Sequence, residues 1–477
     1  MCIDKLGGCL VANHELKHDL KTRHVTMISI GGVIGAGLFI GSGNMIMSAG
    51  PGALISYIIA GLMIVLIMRM LGEMAVVNPD SGSFATYAQQ AFGPWAGYTI
   101  GWLYWFNWVI ITAIETTLLG TFVHNWIPAI PAVAASLVFP LLMTVTNIFS
   151  VKTYGEFEYW LAFIKVSAIV IFLIVGAVIV FGWFPGVKAQ GLASLTTGAG
   201  FIPHGWTPVF LSVIFITFSL SGSEVAAIAA GESENPEKNI IKAINAVVWR
   251  LLLFFVGSVA ILVMIIPQGA KDLLQSPYAS VFNMVGMPAA AQVMNVVIFI
   301  SLLSVLNSGL YTSSRMLYSL SSKGTAPKFL SRVSKRGIPL WALAFSVIFT
   351  YVFATFKFIS PDKLFVFLAN SSGGVTIIMY IFIAFSHIRL RLRAEKEDPK
   401  KLKVKMWLFP YLTYATIAAI FVIFVAQAFI DSMREQFYLT SILTILVIGS
   451  YFLLYRKKED AKYSSSETEY NSKKIVN

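Results

Sequence analysis

The sequence predicts an all-α integral membrane protein of about twelve transmembrane helices, and three observations carry that expectation. Hydrophobic residues make up 57% of the 477-residue chain and charged residues only 12%, where a soluble domain carries about 25% charge. Apolar runs long enough to cross a bilayer recur along nearly the whole length. Lys and Arg are concentrated in alternate connections between those runs, as positive-inside sorting requires.

An α-helical span needs about 20 mostly apolar residues. Twelve segments of that kind lie at 26–47, 52–77, 96–122, 132–150, 157–182, 207–230, 243–266, 289–320, 340–357, 363–387, 407–430 and 437–455. Pro140 interrupts the fourth, and the eighth is long and rich in serine. With a cytoplasmic N-terminus, 29 of the 35 basic residues fall on the inner side, in stretches such as "SRVSKRG" (331–337), "HIRLRLRAEKEDPKKLKVK" (387–405) and "RKK" (456–458). The outer side holds Lys188, Lys271, Lys357, Lys363 and Arg434, while Lys165 sits inside a span. An even number of spans returns the C-terminus to the cytoplasm. This topology accounts for the net charge of +12, so no nucleic-acid partner is expected and the bilayer is the partner of the chain.

The expected organisation is a cytoplasmic tail at 1–24, a ten-helix core at 25–390, a basic cytoplasmic loop at 391–406, two peripheral helices at 407–455 and a disordered polar tail at 456–477. Both cysteines, Cys2 and Cys9, lie in the N-terminal tail, so disulfides do not hold the fold. The start of the chain lacks a signal-peptide pattern, and the first apolar run is expected to remain as a span.

Residues 29–41, "SIGGVIGAGLFIG", put five glycines within the first span. An interior Gly costs about 1 kcal/mol against Ala in a helix, and lipid offers no partner for a backbone group that loses its hydrogen bond. Non-helical backbone at membrane depth is tolerated where it faces protein or a wet cavity, and broken helices in transporters use freed amides and carbonyls to hold ligands. The competing reading is close helix packing through small residues. A second interruption occurs at 216–232, "ITFSLSGSEVAAIAAGE", inside the sixth span. If 26–182 and 207–387 are two five-helix repeats, the first and sixth spans correspond, and an odd number of helices per repeat inverts the second. Paired interruptions at corresponding positions point to a transporter binding site.

"GGVIGAGLFIGSG", the stretch from "PGALISYIIAG" to "GYTIGWLYW", "FSLSGSEVAAIAAGESENPEKNIIKAIN" and "NSGLYTSSRMLYSLSSKGTAPKFLSRVSKRGIPLWAL" resemble, in order, the sequence blocks of the amino acid–polyamine–organocation (APC) superfamily, and within it the bacterial amino acid transporter family. The resemblance spans about residues 15–455. It implies a LeuT-type fold with a 5+5 inverted repeat plus two peripheral helices, and uptake of an amino acid driven by an ion gradient, usually of protons.

Residues in the broken spans acquire roles from these two lines together. Backbone amides around Ile34, Gly35, Ala36 and Gly37 are expected to take the substrate carboxylate at the positive end of a half-helix. Carbonyls around Phe218, Ser219 and Ser221 are expected to take the amine, with Glu224 assisting; the alternative for Glu224 is a structural acceptor of freed amides. The family often places an aromatic lid at the position of Phe218. Charges inside spans are rare and by default functional. Lys165 lies roughly 12 Å into the fifth span at 1.5 Å per residue. It matches the lysine that proton-coupled relatives place where sodium-coupled relatives bind a cation, so proton coupling is its expected role; the alternative is a snorkelling lysine. Ser308, on a polar stripe of the eighth span, is expected near that position. Glu115 in the third span is either a substrate or proton site, or a carboxylate paired within the bundle. Glu232 is either a gating residue, as in the family, or an ordinary helix end. Arg69 and Glu73, one turn apart, are expected to pair with each other.

Other function classes lack their parts. No HExxH, GxSxG, CxxC or Walker A motif is present, so no enzyme, metal or cofactor is expected. Exchange, sodium coupling and amino-acid sensing without net transport remain as alternatives to proton symport.

Overall fold

Helix is nearly the whole of this computed structural model, which describes residues 20–80, 82–184, 195, 200–267, 269–274, 276–359 and 366–455, with Phe218, 247–251 and 366–370 among those given by backbone alone. The expected disordered tail at 456–477, most of the tail at 1–24, and the side chain of Phe218 lie outside the described residues.

The first span is broken into α1 (Thr22–Gly31), α2 (Ala36–Phe39) and α3 (Gly41–Ala49). Then come α4 (Ala53–Val77), the short α5 (Ser83–Phe92), α6 (Pro94–Trp126), α7 (Ala132–Phe149) and α8 (Val151–Val180). The sixth span is broken into α9 (Trp206–Ser219) and α10 (Val225–Gly231). The seventh, read from sequence as one segment, comprises α11 (Pro236–Arg250), a π-helical turn at Leu251–Gly257, and α12 (Ser258–Ile265). The remainder is α13 (Pro277–Met284), α14 (Pro288–Ser322), α15 (Leu340–Ile359), α16 (Val366–Glu397), α17 (Tyr411–Phe429) and α18 (Asp431–Leu454). Among the described residues, nine helices are long and apolar enough to cross a membrane, and two shorter apolar helices accompany them. There is no strand among those residues; one isolated bridge joins Leu20 to Ser233.

The architecture is the LeuT-type arrangement of twelve spans. Large apolar side chains such as Leu141, Val145, Ile171, Ile174, Ile445 and Leu446 are exposed on the outer faces of α7, α8 and α18. In water such a surface would be unstable; against lipid it is the expected exterior. The spans within α17 and α18 bury only 22% and 11% of their most apolar windows, against 67% for α6, which makes them peripheral. At the centre, α6 and α14 approach closely because small residues permit it. A Cβ on Gly309 would lie 2.4 Å from Thr112 Cγ2, so any larger side chain there would force the helices apart.

Two local expectations change. Glu73 does not pair with Arg69. Its carboxylate turns inward and lies 2.7 Å from Arg391 Nη1 and 3.2 Å from His387 Nε2, and it accepts the Met406 amide at 2.6 Å. Arg69 donates to the Lys405 carbonyl at 3.0 Å and covers the Trp407 ring. A buried carboxylate needs partners on all sides, and α16 with Arg391 and His387, together with the Met406 amide in the connection after it, supplies them where one helix face could not. The basic loop expected from 391 also begins later, because α16 continues to Glu397, with Arg391 and Glu395 paired at 2.8 Å one turn apart.

Candidate functional site

Both helix breaks meet at one place. Residues 32–35 leave the helix between α1 and α2, and Gly35 is fully extended at φ −149°, ψ −154°. Residues 220–224 do the same between α9 and α10, where Gly222 adopts φ +103°. The two breaks touch backbone to backbone: a Cβ on Gly222 would lie 2.8 Å from the Gly32 carbonyl oxygen. Both the left-handed φ and this contact demand glycine.

Beside this contact is a cavity of about 80 Å³ lined by Gly35, Ala36, Gly37, Trp108, Glu115, Ser219, Ser221 and Val305. Glu115, from the middle of α6, directs its carboxylate at the start of α2, beside the Ala36 amide. Its second oxygen, Oε2, is buried and without a hydrogen-bond partner, and so is Ser219 Oγ on the opposite wall. Buried polar atoms left unpaired are rare and costly. Here two of them face one cavity, which suits a small ligand carrying both a donor and an acceptor.

The residues expected to bind substrate are therefore brought together in part. Gly35, Ala36, Gly37, Ser219, Ser221 and Glu115 line the cavity. Ile34 lies just outside it: its amide donates to the Gly31 carbonyl at 3.0 Å, and its own carbonyl accepts Lys165. Glu224 folds back onto its own break, where it accepts the Gly222 amide at 3.1 Å and the Tyr104 hydroxyl at 3.2 Å. That geometry is the structural one of the two roles left open for it, because a freed amide in a membrane must find an acceptor.

Lys165 is fully buried. Its ammonium donates to Ser304 Oγ at 2.7 Å and to the Ile34 carbonyl at 3.2 Å. The amine thus joins the first break to α14. Ser308, one turn further along α14, lies instead 3.3 Å from the Tyr154 hydroxyl. Glu158, which the sequence reading passed over, stands 4.0 Å from Lys165 and is equally buried. Its carboxylate accepts from Ser304 and, at 3.1 Å, from Asn307. Its signal in the sequence is a carboxylate seven residues, or two helical turns, before a membrane-embedded lysine on the same helix.

Just past the end of α10, Glu232 meets Arg315 at 3.2 Å with both side chains buried. Arg315 covers the Tyr311 ring at 4.0 Å, and Tyr311 stacks on Tyr154 at 4.1 Å. The Glu232 carbonyl also accepts the Leu20 amide at 3.2 Å. These contacts tie the end of α10 and the residue Leu20 before α1 to α14 and α8. Glu232 was singled out from sequence; Arg315 was counted among the inner-side basic residues and given no role. No metal-binding group of side chains occurs among the described residues.

Comparison with known proteins places these features in context. The family model described as amino acid permease matches residues 24–463. A gamma-aminobutyric acid permease of Bacillus subtilis is 49% identical over 451 residues, which cover 94% of this chain and 96% of that protein. A gamma-aminobutyric acid permease of Escherichia coli is 42% identical over 94% of this chain and 96% of its own length. The aromatic amino acid transport protein AroP of Corynebacterium glutamicum is 38% identical over 85% of this chain and 88% of its own.

Proposed function

The chain belongs to the amino acid permease family, and from that premise we propose that it carries a small amino acid and a proton together across the cytoplasmic membrane by alternating access. Such a protein is a transporter and not an enzyme. The observation that carries the finer reading is the cavity between two touching helix breaks, with Glu115 Oε2 and Ser219 Oγ unpaired on its walls.

In this reading the substrate carboxylate takes the positive end of α2, displacing Glu115 from the Ala36 amide. The freed Glu115 carboxylate then receives the substrate ammonium, together with Ser219 and Ser221. An ammonium held by a side chain of α6 does not have to sit on the substrate's Cα. That suits γ-aminobutyrate, the compound named for the relatives at 49% and 42% identity. Lys165 couples the cycle to protons. Charged, it donates to Ser304 and to Ile34 of the first break; neutral, it holds that break less firmly, and the inner contact of Glu232 with Arg315 is released.

The test is uptake of labelled γ-aminobutyrate, threonine and phenylalanine into proteoliposomes under an inside-alkaline pH gradient. Accumulation is expected to follow the proton gradient without sodium, and Lys165→Ala is expected to abolish accumulation while leaving substrate binding measurable. Accumulation that follows sodium, or that survives Lys165→Ala undiminished, would overturn the coupling scheme.

A further inference from the structure

We propose that Glu158 is the station through which the proton leaves Lys165 for the cytoplasm, with the Ser304 hydroxyl as the bridge between them. This deepens the proton-symport reading above and rests on it.

The hydrogen bonds already point in one direction. Lys165 Nζ donates to Ser304 Oγ at 2.7 Å, and Ser304 Oγ in turn donates to Glu158 Oε1. A hydroxyl both gives and receives, so it can relay a proton without moving. The Nζ–H bond breaks as Ser304 Oγ gains that proton, and Ser304 passes its own to Glu158 Oε1. The ion pair becomes a neutral amine and a neutral carboxylic acid, and the serine is unchanged. Glu158 then loses its proton to water admitted from the cytoplasm when the inner contacts open, and Lys165 remains neutral until it is reloaded from the outer side.

The placement fits that direction of travel. Seven residues of α8 separate the two groups, which is roughly 10 Å of helix at 1.5 Å per residue, and Glu158 is on the side of the inner closure. The second oxygen of Glu158 is held as an acceptor: Asn307 Nδ2 donates to it at 3.1 Å, while Asn307 Oδ1 is fixed by Asn147 Nδ2 at 2.9 Å. Both groups are completely buried, so a proton leaving Lys165 meets Glu158 before it meets solvent.

The other titratable and charged groups around the pair sort by side. Glu115 on α6 faces Lys165 from the substrate cavity. Tyr154 on α8, Tyr311 and Arg315 on α14, Glu232 after α10 and His24 on α1 lie towards the inner end. The faces of α7, the π-helical turn and α12 packed on α8 bring no titratable side chain. A carboxylate with a hydroxyl bridge on one side and the gate cluster on the other is placed to hand protons inward.

The experiment compares wild type, Glu158→Gln and Glu158→Asp in proteoliposomes with labelled γ-aminobutyrate. Two modes are read: accumulation driven by a pH gradient, and counterflow at equal pH, which needs no net proton movement. Glu158→Gln is expected to keep counterflow within about twofold of wild type and to lose at least about tenfold in gradient-driven accumulation, the order expected when a proton-transfer group is removed. Its net uptake should also lose its dependence on internal pH, and Glu158→Asp should recover part of both. The proposal is overturned if Glu158→Gln accumulates within twofold of wild type. It is equally overturned if counterflow and accumulation fall together and Glu158→Asp restores neither, since that marks a structural role. Wild-type protein that ignores the proton gradient would overturn the symport reading itself, a result distinguishable from both.

Discussion

Glu115 is one side chain with two competing attachments, and its position can be tested alone. Its carboxylate lies beside the Ala36 amide and leaves Oε2 unpaired towards the cavity. Glu115→Gln keeps the shape and an acceptor for Ala36 but removes the charge offered to a substrate ammonium. A hydrogen bond to a charged group contributes about 1.5–3 kcal/mol, so the apparent affinity for γ-aminobutyrate should fall roughly 10- to 100-fold, with thermal stability little changed. An unaltered KM in proteoliposome uptake would remove Glu115 from the substrate site. At this scale the sequence was informative about identity and silent about partners. Lys165 and Glu115 stood out because ionisable residues within apolar runs are few. Glu158 did not, because it lies near a span end and nothing in its spelling says that it faces Ser304 on a helix 146 residues away. Glu224 was assigned two roles for the same reason, and only the fold shows it bound to its own break.

At the scale of elements, the two breaks behave as one unit. Gly222 at φ +103° faces the Gly32 carbonyl, where a Cβ would approach to 2.8 Å. Gly222→Ala therefore brings both a left-handed backbone and a close contact, a strain of about 1–3 kcal/mol. The midpoint of thermal unfolding in detergent should drop and counterflow should weaken with it. Gly449→Ala on α18 is the matching control: its Cβ meets nothing within 4 Å, so it should be neutral or slightly stabilising, as helix propensity favours Ala by about 1 kcal/mol. Equal effects of the two substitutions would mean that the break is not a strained contact. Both breaks were legible in the sequence as glycine and serine clusters within apolar runs. The π-helical turn at Leu251–Gly257 was not, because it falls in a uniformly apolar stretch where no local residue type signals a change of helix register.

The orientation of the whole molecule is a prediction from its charges: basic residues gathered in alternate loops are expected to set both termini on the cytoplasmic side, and Cys2 and Cys9, the only cysteines of the chain, both mark the N-terminal tail. A membrane-impermeant maleimide should leave the protein unlabelled in intact cells and label it in inverted vesicles; labelling of intact cells would reverse the topology. What the sequence determined by itself was the all-helical membrane class, the number of spans, and the places where two of them break. Those properties follow from local composition: apolar length against bilayer thickness, and glycine against helix propensity. The tertiary structure alone decided which breaks touch, which carboxylate faces the cavity, and how Lys165, Ser304 and Glu158 align between α8 and α14. Those depend on the rotation and depth of one helix against another, which are set by packing across the bundle and leave no periodic trace in any single helix.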